Sequence, residues 1–488
     1  MTHRMSSPHT LLAGLVVAVL ALAGCATNPV TRKQDFVMLT ESQEIALGKE
    51  YHQQILQQYD VYDDEALQDY VSRLGRKLAR NSHRKDIDYT FTVLDSPQVN
   101  AFALPGGYIY ITRGIMGYFN SEAALVGVLG HELGHVTARH SVQQYSANMA
   151  TGILGSILIA ATDAGRAGAD LFQTVQLAAM RGYGREQELQ ADRLGAQYLA
   201  RTGYDSDAML DVIRILADQE DYERQRARAE GREPNVYHGI FSTHPENDRR
   251  LREVIAEAKQ YELADPRPDG HAEYLRMIDR MTYGPGAGQG TVADHRFLHL
   301  ELDAAIDAPA DWTIDNQPQK VVFQAPDDAA RLEVTLGEAK AGVSARRLLA
   351  QRVSGNRLER GRDFRAGEFD GHTGVIRRQG RLIRYTVVLK DARAWYFAAT
   401  SREPGAFDRY DDAFLDIAGS LHRLTAAERR QAQPLRIRVV EAGPGTTYEK
   451  LAEPIEGVED PAGRLRLLNG DWPDGQPEAG RLVKTLAR

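Results

Sequence analysis

The sequence predicts a multidomain chain: a mainly α unit with a small β-sheet, then an α+β unit, then a small βααβ module. Three observations predict it. The 488 residues leave room for roughly two to four domains. Helical periodicity in the first half gives way near residue 290 to β-rich alternation. The segment from residue 434 onward has a pattern of its own. The expected boundaries are 1–24 for a leader, 25–262 for the first unit, 263–290 for a linker, 291–425 for the α+β unit and 434–488 for the module. Hydrophobic residues at 43% and charged residues at 26% describe a globular protein rather than a disordered or multi-span one. A formal charge of −8 leaves no basic field to recruit nucleic acid. The single cysteine excludes an internal disulfide framework and any cysteine-rich metal or iron–sulfur site.

That cysteine, Cys25, closes an apolar run. Arg4 precedes Leu11–Leu22, which are uninterrupted small and aliphatic residues, and polar Thr27-Asn28-Pro29 follows. A run of this length suits a secretory signal and falls short of the ~20 residues that span a bilayer. Leu22-Ala23-Gly24-Cys25 resembles the bacterial lipoprotein signal, which implies a lipid on Cys25 and a membrane anchor on the periplasmic side. Ala26 rather than Asp after the cysteine favours the outer membrane by the enterobacterial sorting rule.

Beyond the leader, apolar residues at helical spacing predict helices over Glu44–Tyr59 (Ile45, Leu47, Ile55, Leu56) and Glu65–Arg80 (Leu67, Tyr70, Val71, Leu74, Leu78). Tyr89–Leu94 reads as a strand. Val99–Leu104 and Tyr108–Thr112 read as two more around the turn Pro105-Gly106-Gly107. Asn120 or Ser121 can cap a helix through Ala123–His140. Met149–Ala161 is apolar and Gly/Ala-rich, either a lid or buried packing. Helices follow over Arg185–Ala200 and much of Asp205–Tyr261. Residues 263–290 mix Pro, Gly and Asp with a short helical patch and read as a linker. The α+β unit offers strands at Phe297–Leu302, Lys320–Gln324, Arg331–Leu336, Thr373–Arg377, Arg381–Leu389 and Trp395–Thr400. Helices fall at Ser344–Val353 and Tyr410–Leu421.

The chemistry concentrates in His131-Glu132-Leu133-Gly134-His135. On a helix, positions i and i+4 share a face, so both imidazoles can reach one metal ion, and Glu132 beside them can take a proton from water. Gly134 leaves room for close packing. Two histidines leave a tetrahedral site short of a protein ligand. Ser141 stands where a third histidine of the extended metzincin pattern would be needed, and His140 is one residue off register and reads as structural. A second helix offers Glu188 as an oxygen ligand, with Asp192 one turn on, able to orient a ligand histidine through its free ring N–H.

Taken together, Asn100-Ala101-Phe102-Ala103-Leu104-Pro105-Gly106-Gly107, the His131–His135 pentapeptide, Arg185 with Glu188, Ala191, Asp192 and Gly195, and Ser242-Thr243-His244-Pro245 occur in that order. Over roughly residues 40–260 they resemble the gluzincin metallopeptidases of family forty-eight, the group of HtpX, the CAAX prenyl protease and periplasmic BepA-type proteases. The resemblance implies one Zn2+ held by His131, His135 and Glu188, with Glu132 as general base and Asp192 behind a ligand. It also implies that Asn100, Ala101, Phe102 and Ala103 offer a strand edge to an extended substrate. His244 matches a position that restrains the zinc or stabilises the oxyanion, and Arg250 matches a family arginine loosely. Unlike HtpX and the prenyl protease the chain shows no transmembrane helices, and unlike BepA it shows no helical repeats after residue 262. Val440, Pro444-Gly445-Thr446-Thr447, Leu451-Ala452, Leu468-Asn469-Gly470, Gly480 and Val483 resemble a LysM module, which implies either peptidoglycan binding or a structural cap; Thr446 replaces the usual Asp.

The function expected is a zinc-dependent endopeptidase of the bacterial envelope that hydrolyses unfolded or misassembled envelope proteins with a zinc-activated water. The alternatives are an outer-membrane protein assembly factor or chaperone with secondary proteolysis, and a peptidoglycan-associated binding protein.

Overall fold

A computed structural model describes residues 25–147, 149, 183–230, 259–261, 263–317 and 319–488. The leader, Ser242–Pro245 with His244, Arg250 and nearly all of Met149–Ala161 lie outside the described residues. The chain divides into two compact units, one of residues up to 283 together with 436–487, the other of 284–435.

The first unit opens with strands β1 (Cys25–Thr27) and β2 (Gln34–Phe36), paired antiparallel with Cys25 opposite Phe36. Helix α1 (Glu41–Gln58) begins with a reciprocal cap. The Gln43 amide nitrogen of the backbone donates to Thr40 Oγ1, and the Thr40 backbone N–H donates to Gln43 Oε1 at 2.9 Å. Asp64 caps α2 (Glu65–Arg80), whose buried stripe Leu67, Tyr70, Val71, Leu74 and Leu78 is the one its spacing predicts. Three strands follow in the order β3-β5-β4: β3 (Thr90–Leu94) runs parallel to β5 (Tyr108–Thr112), and β4 (Ala101–Leu104) pairs antiparallel with β5. β4 is therefore an edge. The turn joining β4 to β5 needs left-handed backbone at Gly106 (φ 77°) and Gly107 (φ 100°), and a Cβ on Gly107 would stand 2.4 Å from the Asp88 carbonyl oxygen.

After a short helix, α3 (Arg113–Met116), comes α4 (Glu122–Thr137), capped by Ser121 Oγ on the Ala124 N–H at 3.1 Å. Every residue of α4 is buried, which fits its almost uniformly apolar sequence outside the histidine pentapeptide. It does not continue through His140 as expected. Arg139 adopts a left-handed conformation (φ 61°) and the chain turns before becoming helical again over 140–147. Ion pairs explain the break. Arg139 Nε donates to Glu44 Oε2 at 2.8 Å, and Arg84 Nη1 donates to both Glu44 Oε1 (2.8 Å) and the Val136 carbonyl (3.1 Å), capping the end of α4. Helix α5 (Arg185–Arg201) lies against α4, and α6 (Ala208–Glu230) follows.

The short helical patch expected in 263–290 is present, but it packs into a core rather than serving as a linker. Residues His271–Ile278 form α7, with Tyr274, Leu275 and Ile278 in the core of the first unit, and Thr282–Tyr283 form β6. Three apolar residues at helical spacing outweigh the flanking Pro and Gly.

The second unit holds a small sheet, β7 (Thr291–Ala293), β8 (Arg296–His299) and β9 (Ala304–Asp307), and a seven-stranded antiparallel sheet. The large sheet comprises β10 (Thr313–Gln317), β11 (Lys320–Gln324), β12 (Ala330–Glu338), β13 (Glu359–Ala366), β14 (Phe369–Arg378), β15 (Arg381–Lys390) and β16 (Arg393–Ser401), ordered β10-β11-β12-β16-β15-β14-β13. Alternation divides its faces: Ile376, Val387 and Ala394 pack on helix α8 (Ala345–Arg352), whereas Val375, Val388 and Trp395 pack on α9 (Phe407–Gly419). This is the α+β architecture expected there. Helix α10 (Ala426–Gln431) closes it.

The C-terminal segment has the expected strand–helix–helix–strand order: β17 (Leu435–Glu441), α11 (Tyr448–Ala452), α12 (Pro461–Asn469) and β18 (Leu482–Ala487). It does not stand apart. β17 pairs with β18 and neighbours β6, and Tyr448, Leu465, Leu468 and Leu486 share the core cluster of α4. Buried Lys484 donates to the carbonyls of Gly117 and Phe119, both at 2.8 Å. Among the described residues, no helix is long and apolar enough to cross a membrane.

Candidate metal centre

The site forms where α4 and α5 cross. Glycines let the two helices approach: the position of a Cβ on Gly134 is 2.9 Å from the Ala191 carbonyl oxygen, and that on Gly130 is 3.3 Å from Gly195 Cα. This crossing brings Glu188 to the face of α4 that carries both histidines. His131, His135 and Glu188 are all buried, and one ligand atom from each lies within 4.8 Å of the others. The separations are 3.0 Å between His131 Nε2 and His135 Nε2, 3.5 Å from His131 Nε2 to Glu188 Oε2, and 3.8 Å from His135 Nε2 to Glu188 Oε1. A tetrahedron with ligands about 2.05 Å from its centre has edges of about 3.3 Å. The three separations, taken to the two oxygens of Glu188, are close to that edge, and two imidazoles with one carboxylate are a zinc-type donor set.

The electrostatics point the same way. His131 is fully buried, which alone would disfavour its charged form, yet the carboxylates of Asp192 and Glu188 push it up to about 10. A pocket that draws a positive charge so strongly into the interior suits a metal cation. Asp192 Oδ1 accepts from His131 Nδ1 at 2.8 Å and so leaves Nε2 to face the site. Glu132 is buried next to the pair; burial raises its carboxyl to about 7, with His131 working against that and Glu188 adding to it. It is poised to exchange a proton near neutrality.

The chain also places residues here that the sequence reading passed over. The Tyr183 ring stacks on His135 with centroids 4.0 Å apart and planes 20° apart. Its backbone N–H donates to Glu188 Oε1 at 3.3 Å, and its hydroxyl lies 2.6 Å from Ser141 Oγ. His140, read as structural, is fully buried and contacts a ligand: its Nδ1 is 2.9 Å from His135 Nδ1. Burial lowers it to about 4. Nothing in its spacing signalled this contact, because the break at Arg139 creates it. Glu122, at the start of α4, accepts from Tyr70 (2.8 Å), Tyr204 and Arg267 (3.2 Å) and anchors the other end of the helix.

The remaining expected residues fall as follows. Ala101 and Ala103 on edge strand β4 point into the core, Phe102 stacks on Tyr110 at 4.8 Å, and the Asn100 N–H donates to Thr112 Oγ1 at 3.1 Å. Cys25 is the first residue of β1, and Asn28, three residues on, donates to Asp35 at 2.6 Å. His244 lies outside the described residues.

Residues 65–258 match the family model described as Peptidase family M48. The beta-barrel assembly-enhancing protease of Yersinia pestis is 31% identical over 268 residues, covering 51% of this chain and 53% of that protein. A putative beta-barrel assembly-enhancing protease of Vibrio cholerae is 30% identical over 289 residues, covering 56% and 57%. The mitochondrial metalloendopeptidase OMA1 of Arabidopsis thaliana is 34% identical over 146 residues, covering 30% and 29%. The match spans about half the length of the bacterial relatives.

Proposed function

We propose, from the premise that residues 65–258 of this chain are a peptidase family M48 domain, that the protein is a zinc-dependent endopeptidase of the bacterial cell envelope. The observation that carries the reading is the buried triangle of His131, His135 and Glu188 with Glu132 alongside. Zinc bound there supplies a Lewis acid for the scissile carbonyl and makes water more acidic. Glu132, buried beside the triangle, takes the proton from the attacking water and delivers it to the leaving amine. The free edge of β4, beside α4, holds the substrate as an added strand, so main-chain hydrogen bonds bind it with little regard to sequence. Such binding needs an extended peptide, which supports unfolded or misassembled envelope proteins as the substrates. His244 then acts at the metal, as restraint or oxyanion donor. Cys25 carries the lipid that holds the protein on the periplasmic side of the outer membrane.

A second reading, assembly of outer-membrane proteins with cleavage secondary, is favoured by the bacterial relatives being beta-barrel assembly-enhancing proteases. The C-terminal βααβ segment is proposed as LysM-like, with peptidoglycan as its partner. Casein cleavage by the purified chain and by its Glu132→Gln variant tests the first reading. Loss of a general base lowers the rate by about 10²–10⁴; a variant that still cleaves casein at the parental rate overturns it. An envelope assembly defect rescued by Glu132→Gln favours the second.

A further inference from the structure

A histidine ligates a metal through Nε2 when its proton resides on Nδ1, and the hydrogen bond made by Nδ1 decides where that proton stays. For His131 that bond goes to Asp192 at 2.8 Å. For His135 it goes to another imidazole, Nδ1 of His140, at 2.9 Å. The far nitrogen of His140, Nε2, lies 3.0 Å from Oε1 of Gln190. A carboxamide oxygen only accepts, so it takes the Nε2–H of His140. The neutral ring then offers only a lone pair at Nδ1, and that lone pair takes the Nδ1–H of His135. His135 is left with its own lone pair at Nε2, the atom 3.0 Å from His131 Nε2 and 3.8 Å from Glu188 Oε1.

We propose that His140 and Gln190 are positioning residues that fix the tautomer and ring orientation of His135 for metal binding. This rests on the zinc reading above. The two ligand histidines are thus oriented differently, His131 by a carboxylate and His135 by a neutral relay. A single helix, α5, provides all three supports at alternate positions: Glu188 as ligand, Gln190 behind His140, Asp192 behind His131.

The relay requires the break in the backbone. On a continuous helix, five residues advance about 500°, so His140 would stand some 140° around the axis from His135 and could not face it. The left-handed Arg139, held by Glu44 at 2.8 Å, swings His140 back onto the ligand. His140 is fully buried, and the Tyr183 ring stacks on His135 to restrain its plane.

The test is zinc affinity of the full chain, measured by competition with a chromogenic chelator, together with the melting temperature of the metal-free form. His140→Phe keeps a ring but removes the acceptor, and should weaken zinc binding by about 10–100-fold. His140→Asn returns a carbonyl oxygen near the former Nδ1 position and should stay within about threefold of the parent, well inside that loss. Gln190→Leu should weaken binding in the same direction, by about three- to tenfold. It serves alone if His140→Phe does not fold. The metal-free chains of His140→Asn and Gln190→Leu should still melt in one cooperative transition, which separates loss of zinc affinity from loss of the fold. Parental zinc affinity in His140→Phe or Gln190→Leu overturns the proposal, as does equal loss in His140→Asn and His140→Phe, which would mean that the ring matters only as packing. A parent chain that binds no zinc overturns the metal reading itself, whereas a binding parent beside an equally binding His140→Phe overturns this proposal alone.

Discussion

Gly134→Ala places a methyl group where α4 and α5 approach most closely. The added Cβ would stand 2.9 Å from the Ala191 carbonyl oxygen, 3.0 Å from Ala191 Cα and 3.2 Å from Leu194 Cβ. Unstrained contacts between such atoms fall at about 3.5–4.0 Å, so the helices must separate by roughly half an ångström. Two of the three obstructing atoms are backbone and cannot rotate away. Overpacking of this kind costs about 1–3 kcal/mol. Replacing a helix-interior glycine by alanine returns about 1 kcal/mol. The net loss of stability is then small, about 0–2 kcal/mol. The metal centre feels the shift more sharply, because Ala191 immediately precedes Asp192 and lies one turn from Glu188. A misplacement of about 1 Å in a catalytic site can lower the rate about 100-fold, so half that displacement should lower casein cleavage roughly tenfold. Zinc affinity should fall with it. Gly130→Ala is the milder comparison, since its closest contacts, to Gly195, are at 3.3 Å. The assay is cleavage rate and zinc affinity beside thermal melting. A Gly134→Ala chain that cleaves and binds zinc like the parent would refute the idea that this glycine sets the ligand spacing.

Two further outcomes follow from buried charge. Glu132 must be ionised to accept a proton, and its carboxyl lies near 7 in the metal-free site. Below its pKa the ionised fraction falls tenfold per pH unit, and a neighbouring cation lowers that pKa towards the ordinary 4.5. The rate of cleavage should therefore fall with pH through a midpoint between 7 and 4.5, and a rate that stays level well below pH 4.5 contradicts the role. Arg84→Met leaves buried Glu44 with Arg139 at 2.8 Å and the Gly106 N–H at 3.4 Å, and uncaps the Val136 carbonyl. Breaking a buried pair costs about 3–5 kcal/mol, and the surviving pair puts the expected loss near the lower figure. Urea unfolding measures it; a loss under about 1 kcal/mol, the size expected of an exposed pair, would show that this buried pair does not hold the end of α4.

Periodicity was enough for the elements whose burial is one-sided. Helix α2 and strand β11 fall at the expected residues because a single apolar stripe or alternation decides each. Strand β13 is different. Its sequence, Glu359-Arg-Gly-Arg-Asp-Phe-Arg-Ala366, is exposed along most of its length as the sheet's edge, so it offers no alternation to read. The cluster of His131, His135 and Glu188 was legible because the spacing of two histidines on one helix is a local property, and a second helix offered Glu188, which the family resemblance then implied as a ligand. The supporting shell was not. His140 reaches His135 only through a left-handed residue stabilised by Glu44, 95 positions earlier in the chain, and Tyr183 gains its place by stacking. The docking of 436–487 on the first unit depends likewise on a buried lysine meeting carbonyls more than 360 residues away.

The central claim is that His131, His135 and Glu188 together hold one zinc ion. Metal analysis of the purified chain, compared with Glu188→Ala at equal concentration after dialysis against a weak chelator, tests it most directly. One zinc per parent chain and a substoichiometric amount in Glu188→Ala is the predicted result. A parent without zinc, or a Glu188→Ala chain that retains as much as the parent, would contradict it.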